Sequence, residues 1–176
     1  MPKHKENHSG FTLVETMIAM LILSGGLLAL ASAFAQGMII MSTSHYHQIA
    51  KEKASEAIES VFTARDTRTI LWNQIRNQEH GGVFLDGTQP LRGHGPDGLV
   101  NTNDDQDQDL EGELMPGPDG TMGTDDDVNV TLGGFSREIR ITDLAANLRQ
   151  IDVTVTYHIG SLVRQYNLVA YISSFA

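Results

Sequence analysis

Apolar positions follow three successive patterns along this chain. Residues 11–41, FTLVETMIAMLILSGGLLALASAFAQGMIIM, are apolar almost throughout, and Glu15 is their one formal charge. As a helix this stretch would span about 46 Å at ~1.5 Å per residue, more than the ~30 Å hydrocarbon core of a bilayer. From Ser42 the pattern becomes helical and two-sided. Ile49, Ala54, Ala57, Ile58, Val61 and Phe62 share one side, with Lys51, Lys53, Glu56 and Glu59 largely elsewhere. Neither Gly nor Pro occurs between Gly37 and Gly81, so a helix is expected to reach residue 80, with TRTILWNQIRN prolonging it or forming a short second helix.

The carboxyl-terminal third has period two. VNVTL, FSREIRITDL, QIDVTVTYHI and VRQYNLVAYI read as strands, punctuated by Gly133-Gly134 and Gly160-Ser161 as hairpin turns. In the third, Ile151, Val153, Val155 and Tyr157 fall on one face, opposite Asp152, Thr154, Thr156 and His158. These patterns predict an α+β protein, a long amino-terminal helix packed on a carboxyl-terminal antiparallel sheet with an acidic loop insertion between them. His45 and His47 stand two apart on a helix and point to different faces, so they read as solvated rather than as a metal pair. Trp72, among Ile70, Leu71 and Ile75, reads as a core anchor.

Charge narrows the choice of partner. Among 176 residues, 12 Lys+Arg face 22 Asp+Glu, a net charge of −10, so no nucleic-acid partner is expected. Cysteine is absent, which removes disulfides and thiolate chemistry. No nucleophile elbow, phosphate-cradling Gly loop or framed carboxylate pair points to an enzyme. Residues 95–127 hold Asp97, Asp104, Asp105, Asp107, Asp109, Glu111, Glu113, Asp119, Asp125, Asp126 and Asp127, and no Lys or Arg.

Within that segment GPDGLVNTNDD (95–105) and GPDGTMGTDDD (117–127) share GPDG, a Thr and two Asp at the same offsets. Pro-Asp-Gly is turn chemistry, so each copy is expected to reverse tightly and bend its side chains together. Ca²⁺ takes six to eight oxygen ligands from such loops. Asp97, Asn101, Asn103, Asp104 and Asp105 are the candidate ligands of the first copy, and Asp119, Asp125, Asp126 and Asp127 of the second. The stretch is no EF-hand, because Leu110 follows Asp105, Asp107 and Asp109 where that loop needs Gly. The other reading is a solvated acidic loop kept open by its own repulsion.

The amino terminus decides topology. MPKHKENHSG carries Lys3 and Lys5, which by the positive-inside tendency holds it in the cytoplasm and sends the remainder across. Ala31-Ser32-Ala33 fits a secretory cleavage site, yet apolar character continues through Phe34, Met38, Ile39 and Ile40. A plain anchor leaves Glu15 without a purpose, since an unpaired carboxylate in a membrane costs a few kcal/mol.

SGFTLVETMIAMLIL, matched without a break from Gly10 to Leu23, closely resembles the processing signal of type IV prepilins and type II secretion pseudopilins. The resemblance implies that a prepilin peptidase cuts between Gly10 and Phe11 and methylates the new Phe11 amine. It implies that Glu15 then neutralises that amine on a neighbouring subunit in a filament. One departure is Ser32, where many relatives have a proline; Gly25 and Gly26 are the places where this helix would loosen instead.

The implied layout is pilin-like. It comprises a leader at 1–10, a membrane and assembly helix at 11–41, an amphipathic helix at 42–80, a loop region with the two repeats at 81–127, and the sheet at 128–176. The implied partners are other pilin or pseudopilin subunits, the peptidase, an inner-membrane assembly platform and, before assembly, membrane lipid. The expected protein is a minor pilin or pseudopilin, inner-membrane first with a periplasmic head, then filamentous, with Ca²⁺ as its one expected cofactor. The alternative is a membrane-anchored calcium-binding or adhesive module that never polymerises.

Overall fold

The computed structural model describes residues 12–175. The chain forms two compact units, Met1–Ser44 and His45–Ala176. Helix α1 (Leu13–Asp66) supplies all the described regular structure of the first unit. Its stretch Leu13–Met38 has a mean hydropathy of 2.2 and is 0% buried. At ~1.5 Å per residue these 26 residues are long enough to cross a bilayer. The helix runs through Gly25, Gly26 and Ser32 without interruption.

In the second unit the end of α1 lays Ile49, Ala50, Ala54, Ala57, Val61 and Ala64 into the core. The three- and four-residue spacing gives one buried stripe, and the alanines allow close approach to a sheet. That sheet has the order β1-β4-β5-β6 and is antiparallel throughout, with β1 Gln89–Pro90, β4 Phe135–Ala145, β5 Leu148–Ile159 and β6 Leu162–Ser173. Ile151, Val153, Val155 and Tyr157 of β5 all face the core, as the alternation predicts. Phe135 stacks between Tyr46 at 5.7 Å and Tyr157 at 5.5 Å between ring centroids.

Four features depart from the sequence reading. The helix ends at Asp66 rather than near residue 80. Arg68 takes the left-handed conformation (φ 56°) that glycine ordinarily supplies, and the Thr69 N–H returns to the Ala64 carbonyl at 2.9 Å. A helix can therefore stop without the glycine the reading looked for. TRTILWNQIRN contributes only a short 3-10 turn, Trp72–Gln74, followed by another at Gln78–His80.

Second, VNVTL does not join the main sheet. β3 (Val128–Thr131) pairs with β2 (Gly112–Met115) in a separate two-stranded ribbon, so Gly133-Gly134 passes the chain from one sheet to the other. Buried Leu132 and Phe135 on either side fix that passage. The loop region 81–127 accordingly contains β1 and β2.

Third, two arginines occupy core-facing positions. Arg137 follows the period of Phe135, Ile139 and Ile141, is 1% exposed, and donates from Nε to Asn101 Oδ1 at 3.0 Å and from Nη1 to the Lys53 carbonyl at 3.3 Å. Glu111 stands 3.8 Å from it and also pairs with Lys53. Burial disfavours the Lys53 charge, but the Glu111 and Glu56 carboxylates outweigh this and raise its pKa. Arg149, also 1% exposed, donates to Asp143 at 2.6 Å, to the Ile75 carbonyl at 2.9 Å and to the Trp72 carbonyl. Its guanidinium lies 4.1 Å from the Trp72 ring centroid. Trp72 is thus an anchor against the core as expected, with a cation on its face.

Fourth, His47 is exposed as expected but also has partners in the sheet. Its Nδ1 lies 3.2 Å from the Tyr157 hydroxyl, and its ring meets Tyr166 edge-on at 5.3 Å. His45 remains exposed.

Candidate assembly site and acidic turns

The first helical turn of α1 has backbone N–H groups with no partner inside the helix. Thr12 and Glu15 close them reciprocally. The Thr12 N–H and hydroxyl donate to Glu15 Oε2 at 2.9 and 3.0 Å, and the Glu15 N–H donates to Thr12 Oγ1 at 3.3 Å. This is a capping box of the Thr-x-x-Glu form, and the spacing of TLVE announces it. The sequence reading gave Glu15 no use within its own chain, yet the carboxylate has one. Gly10 and Phe11, the expected cleavage pair, lie outside the described residues.

The two acidic repeats share a set of hydrogen bonds. In the first, the Asp97 N–H donates to Asp104 Oδ2 at 3.2 Å, the Leu99 N–H to Asp97 Oδ1 at 2.8 Å and the Thr102 hydroxyl to Asp104 Oδ1 at 2.6 Å. In the second, Asp119 N–H to Asp126 Oδ2 is 3.2 Å, Thr121 N–H to Asp119 Oδ1 is 2.7 Å and Thr124 hydroxyl to Asp126 Oδ1 is 2.5 Å. Asn101 (φ 61°) and Gly123 (φ 86°) occupy the same left-handed position, which explains why Asn stands in one copy and Gly in the other.

The copies differ in what surrounds them. Asn101 exchanges hydrogen bonds with Arg137, donating to its carbonyl at 3.1 Å and accepting from its Nε, which docks the first turn on β4. Buried Asp105 accepts from the Gly95 and Thr102 N–H groups at 2.6 and 3.0 Å. In the second copy Asp127 Oδ2 accepts from Gly123 and Thr124, while Oδ1 is enclosed with no hydrogen-bond partner among the described residues. Residues 117–125 of this copy are otherwise mostly exposed, and no hydrogen bond is formed by the Asp125 or Asn103 side chains among the described residues.

Of the expected calcium ligands, Asp97, Asp104, Asp105, Asp119, Asp126 and Asp127 are thus directed at backbone or threonine donors and Asn101 at Arg137. Among the described residues no three acidic or histidine side chains are grouped to hold a metal ion. In the first turn both oxygens of Asp104 and of Asp105 accept from protein donors.

The Thr102 hydroxyl, with the Asp97 N–H, holds the Asp104 carboxyl below its usual range, whereas burial raises Asp105. The two contribute oppositely to stability. Asp104 stabilises the fold above the ordinary carboxylate pKa of ~3.9, and this is lost as pH falls through its depressed native value. Asp105 stabilises it at low pH and loses that contribution as pH rises through its raised value. Thr102→Val should cost the head about 1 kcal/mol at neutral pH by urea denaturation, shrinking in acid as Asp104 protonates, whereas Thr124→Val, on an exposed turn, should change little.

The remaining question is what the apolar helix belongs to. Residues 6–31 match the family model described as the prokaryotic N-terminal methylation motif. The chain carries a prepilin-type amino terminus. The matched prepilin segment includes Gly10, Phe11, the Thr12–Glu15 box and most of the apolar span. Comparison with curated proteins and with solved structures gives no significant match. The prepilin signature thus covers only the first part of α1, and the head is known by its own geometry.

Proposed function

We propose that this chain is a structural subunit, a minor pilin or pseudopilin, of a type IV pilus or type II secretion filament. The observation that carries the proposal is the prepilin motif at residues 6–31, which falls on an unburied apolar helix long enough to cross a membrane. In this reading prepilin peptidase cuts between Gly10 and Phe11 and methylates Phe11. The subunit waits in the inner membrane with its head in the periplasm until an assembly platform draws it into the filament. Before assembly Glu15 is satisfied by Thr12. Afterwards it neutralises the Phe11 amine of a neighbouring subunit, and because an unpaired buried charge is costly, the pairing acts mainly on axial register. The test is the chemical identity of the mature amino terminus together with recovery of the chain in sheared filaments.

Calcium belongs to this proposal through the second turn alone, where Asp127 Oδ1 is enclosed without a partner and Asp125 is exposed. Calorimetry on residues 45–176 should give one weak Ca²⁺ site, in the millimolar range common for extracellular modules, lost in Asp127→Asn and kept in Asp104→Asn. No heat of binding at millimolar Ca²⁺ would remove calcium from the account.

A further inference from the structure

Strand β6 closes one side of the main sheet and, among the described residues, pairs only with β5, in an unbroken register from Leu148↔Ser173 to Ile159↔Leu162. Its other backbone edge lacks the devices that keep edge strands from pairing. Its twelve residues include no proline and no bulge, and Arg164 is the one charge. The opposite edge of the sheet is blunted, since β1 is two residues long and ends in Pro90. On the outward face of β6, Val163, Val169 and Tyr171 are 58%, 42% and 59% exposed. Between them Gln165 and Asn167 are held by Thr156 and Thr154 at 3.2 and 3.0 Å, so the strand is already ordered for a partner.

A matching feature lies elsewhere on the same head. β3 is exposed at every residue and, among the described residues, is paired on one side only, to β2. A two-stranded ribbon of this kind is marginal by itself. It continues directly from the second acidic turn, where Asp119, Asp125, Asp126 and Asp127 are accompanied by no Lys or Arg. The ribbon is rooted beside β4, where Glu111 approaches Arg137, whereas β6 lies two strands away at the far edge.

We propose that β3 of one copy of this chain adds to the β6 edge of a second copy, with the acidic turn of the first meeting the exposed Arg164 of the second. Main-chain hydrogen bonds supply the affinity and the charge pairing selects the orientation. The two surfaces are different, so the contact is heterologous and repeats into an open array instead of closing as a dimer. The inference rests on the filament reading and deepens it by naming the contact between heads. Pairing of β6 with β6 is the competing geometry, and it would place Asn167 of each copy near a two-fold axis.

The chain has no native cysteine, so engineered ones report alone. The experiment uses the full chain expressed with its peptidase and filament machinery. Val128→Cys combined with Val163→Cys should give an oxidised ladder of dimers, trimers and higher species, and neither single variant should. Arg164→Glu in the double variant should reduce the ladder at least tenfold, and adding Asp125→Arg and Asp126→Arg should restore it. Leader removal is read on the same gel. Cleaved chain without a ladder overturns the contact and leaves the filament reading standing, while chain that is never cleaved overturns both. A dimer from Asn167→Cys alone, or a ladder indifferent to Arg164→Glu, also overturns the contact.

Discussion

Glu15→Leu chains should be cleaved after Gly10 as usual and then be depleted from sheared filaments by on the order of a hundredfold. Removing one member of a buried charge pair costs about 3–5 kcal/mol, because the other member is left uncompensated. In the proposed filament that other member is the Phe11 amine. Two companion variants separate this role from the capping box seen in the isolated subunit. Glu15→Gln keeps an oxygen to accept from the Thr12 N–H but carries no charge, and it should fail like Leu. Thr12→Val loses the hydroxyl of the box, a change of about 1 kcal/mol in helix capping, and it should still assemble. Recovery of Glu15→Gln filaments at wild-type levels would make the cap, rather than the charge, the function of Glu15.

The second large effect belongs to the head. Arg149→Ala should destabilise residues 45–176 by about 2–3 kcal/mol in urea denaturation, the cost of unsatisfied buried carbonyls. The substitution leaves the carbonyls of Trp72 and Ile75 without this donor, reduces Asp143 to its pair with Arg76 and removes the cation from the Trp72 face. Asp143 is partly exposed, but its carboxyl is held low by Arg149 and Arg76 against the opposing effect of burial. Arg140→Ala provides the contrast. That side chain is 70% exposed and pairs only with Glu138 at the surface, so its removal should stay within about 0.5 kcal/mol. Equal costs for the two variants would mean that the buried arginine is not a brace.

Much of this architecture is readable from the residues because it depends on period. The row Ile151, Val153, Val155, Tyr157 and the stripe from Ile49 to Val61 are set by alternation and by helical spacing, and both are buried. Arg137 was equally visible in position, since FSREIRI places it on the row of Ile139, but hydrophobicity alone assigns an arginine outward. Only its long-range partners, Asn101 and Glu111, make the inward position stable. The end of α1 was illegible for a related reason. A left-handed arginine carries no sequence mark, and Arg68 does the work of an absent glycine. The destination of VNVTL depended on Gly112–Met115, a four-residue strand with weak alternation in the loop region.

The acidic repeat shows a different limit. Its periodic identity was plain, and the structure repeats that identity in its hydrogen bonds. The direction in which carboxylates point is decided by nearby N–H donors, which composition does not reveal. Counting oxygens therefore does not tell which of them protein donors already engage, as they do in the first copy, while Asp127 in the second retains one unpartnered oxygen among the described residues. The Thr12–Glu15 box was the reverse case. Its local signature was present in TLVE, but the unusual burial expected of Glu15 drew the reading to a partner in another subunit.

The central claim is that residues 1–10 are a leader and that Phe11 becomes the working amino terminus. Mass spectrometry of the full chain, isolated from membranes of cells that express its prepilin peptidase, tests it most directly. The account predicts an amino-terminal peptide beginning at Phe11 with one added methyl group, lost when Gly10 is replaced by Val. A chain that retains Met1–Gly10 in the presence of the active peptidase, or one cut instead after Ala33, would contradict it.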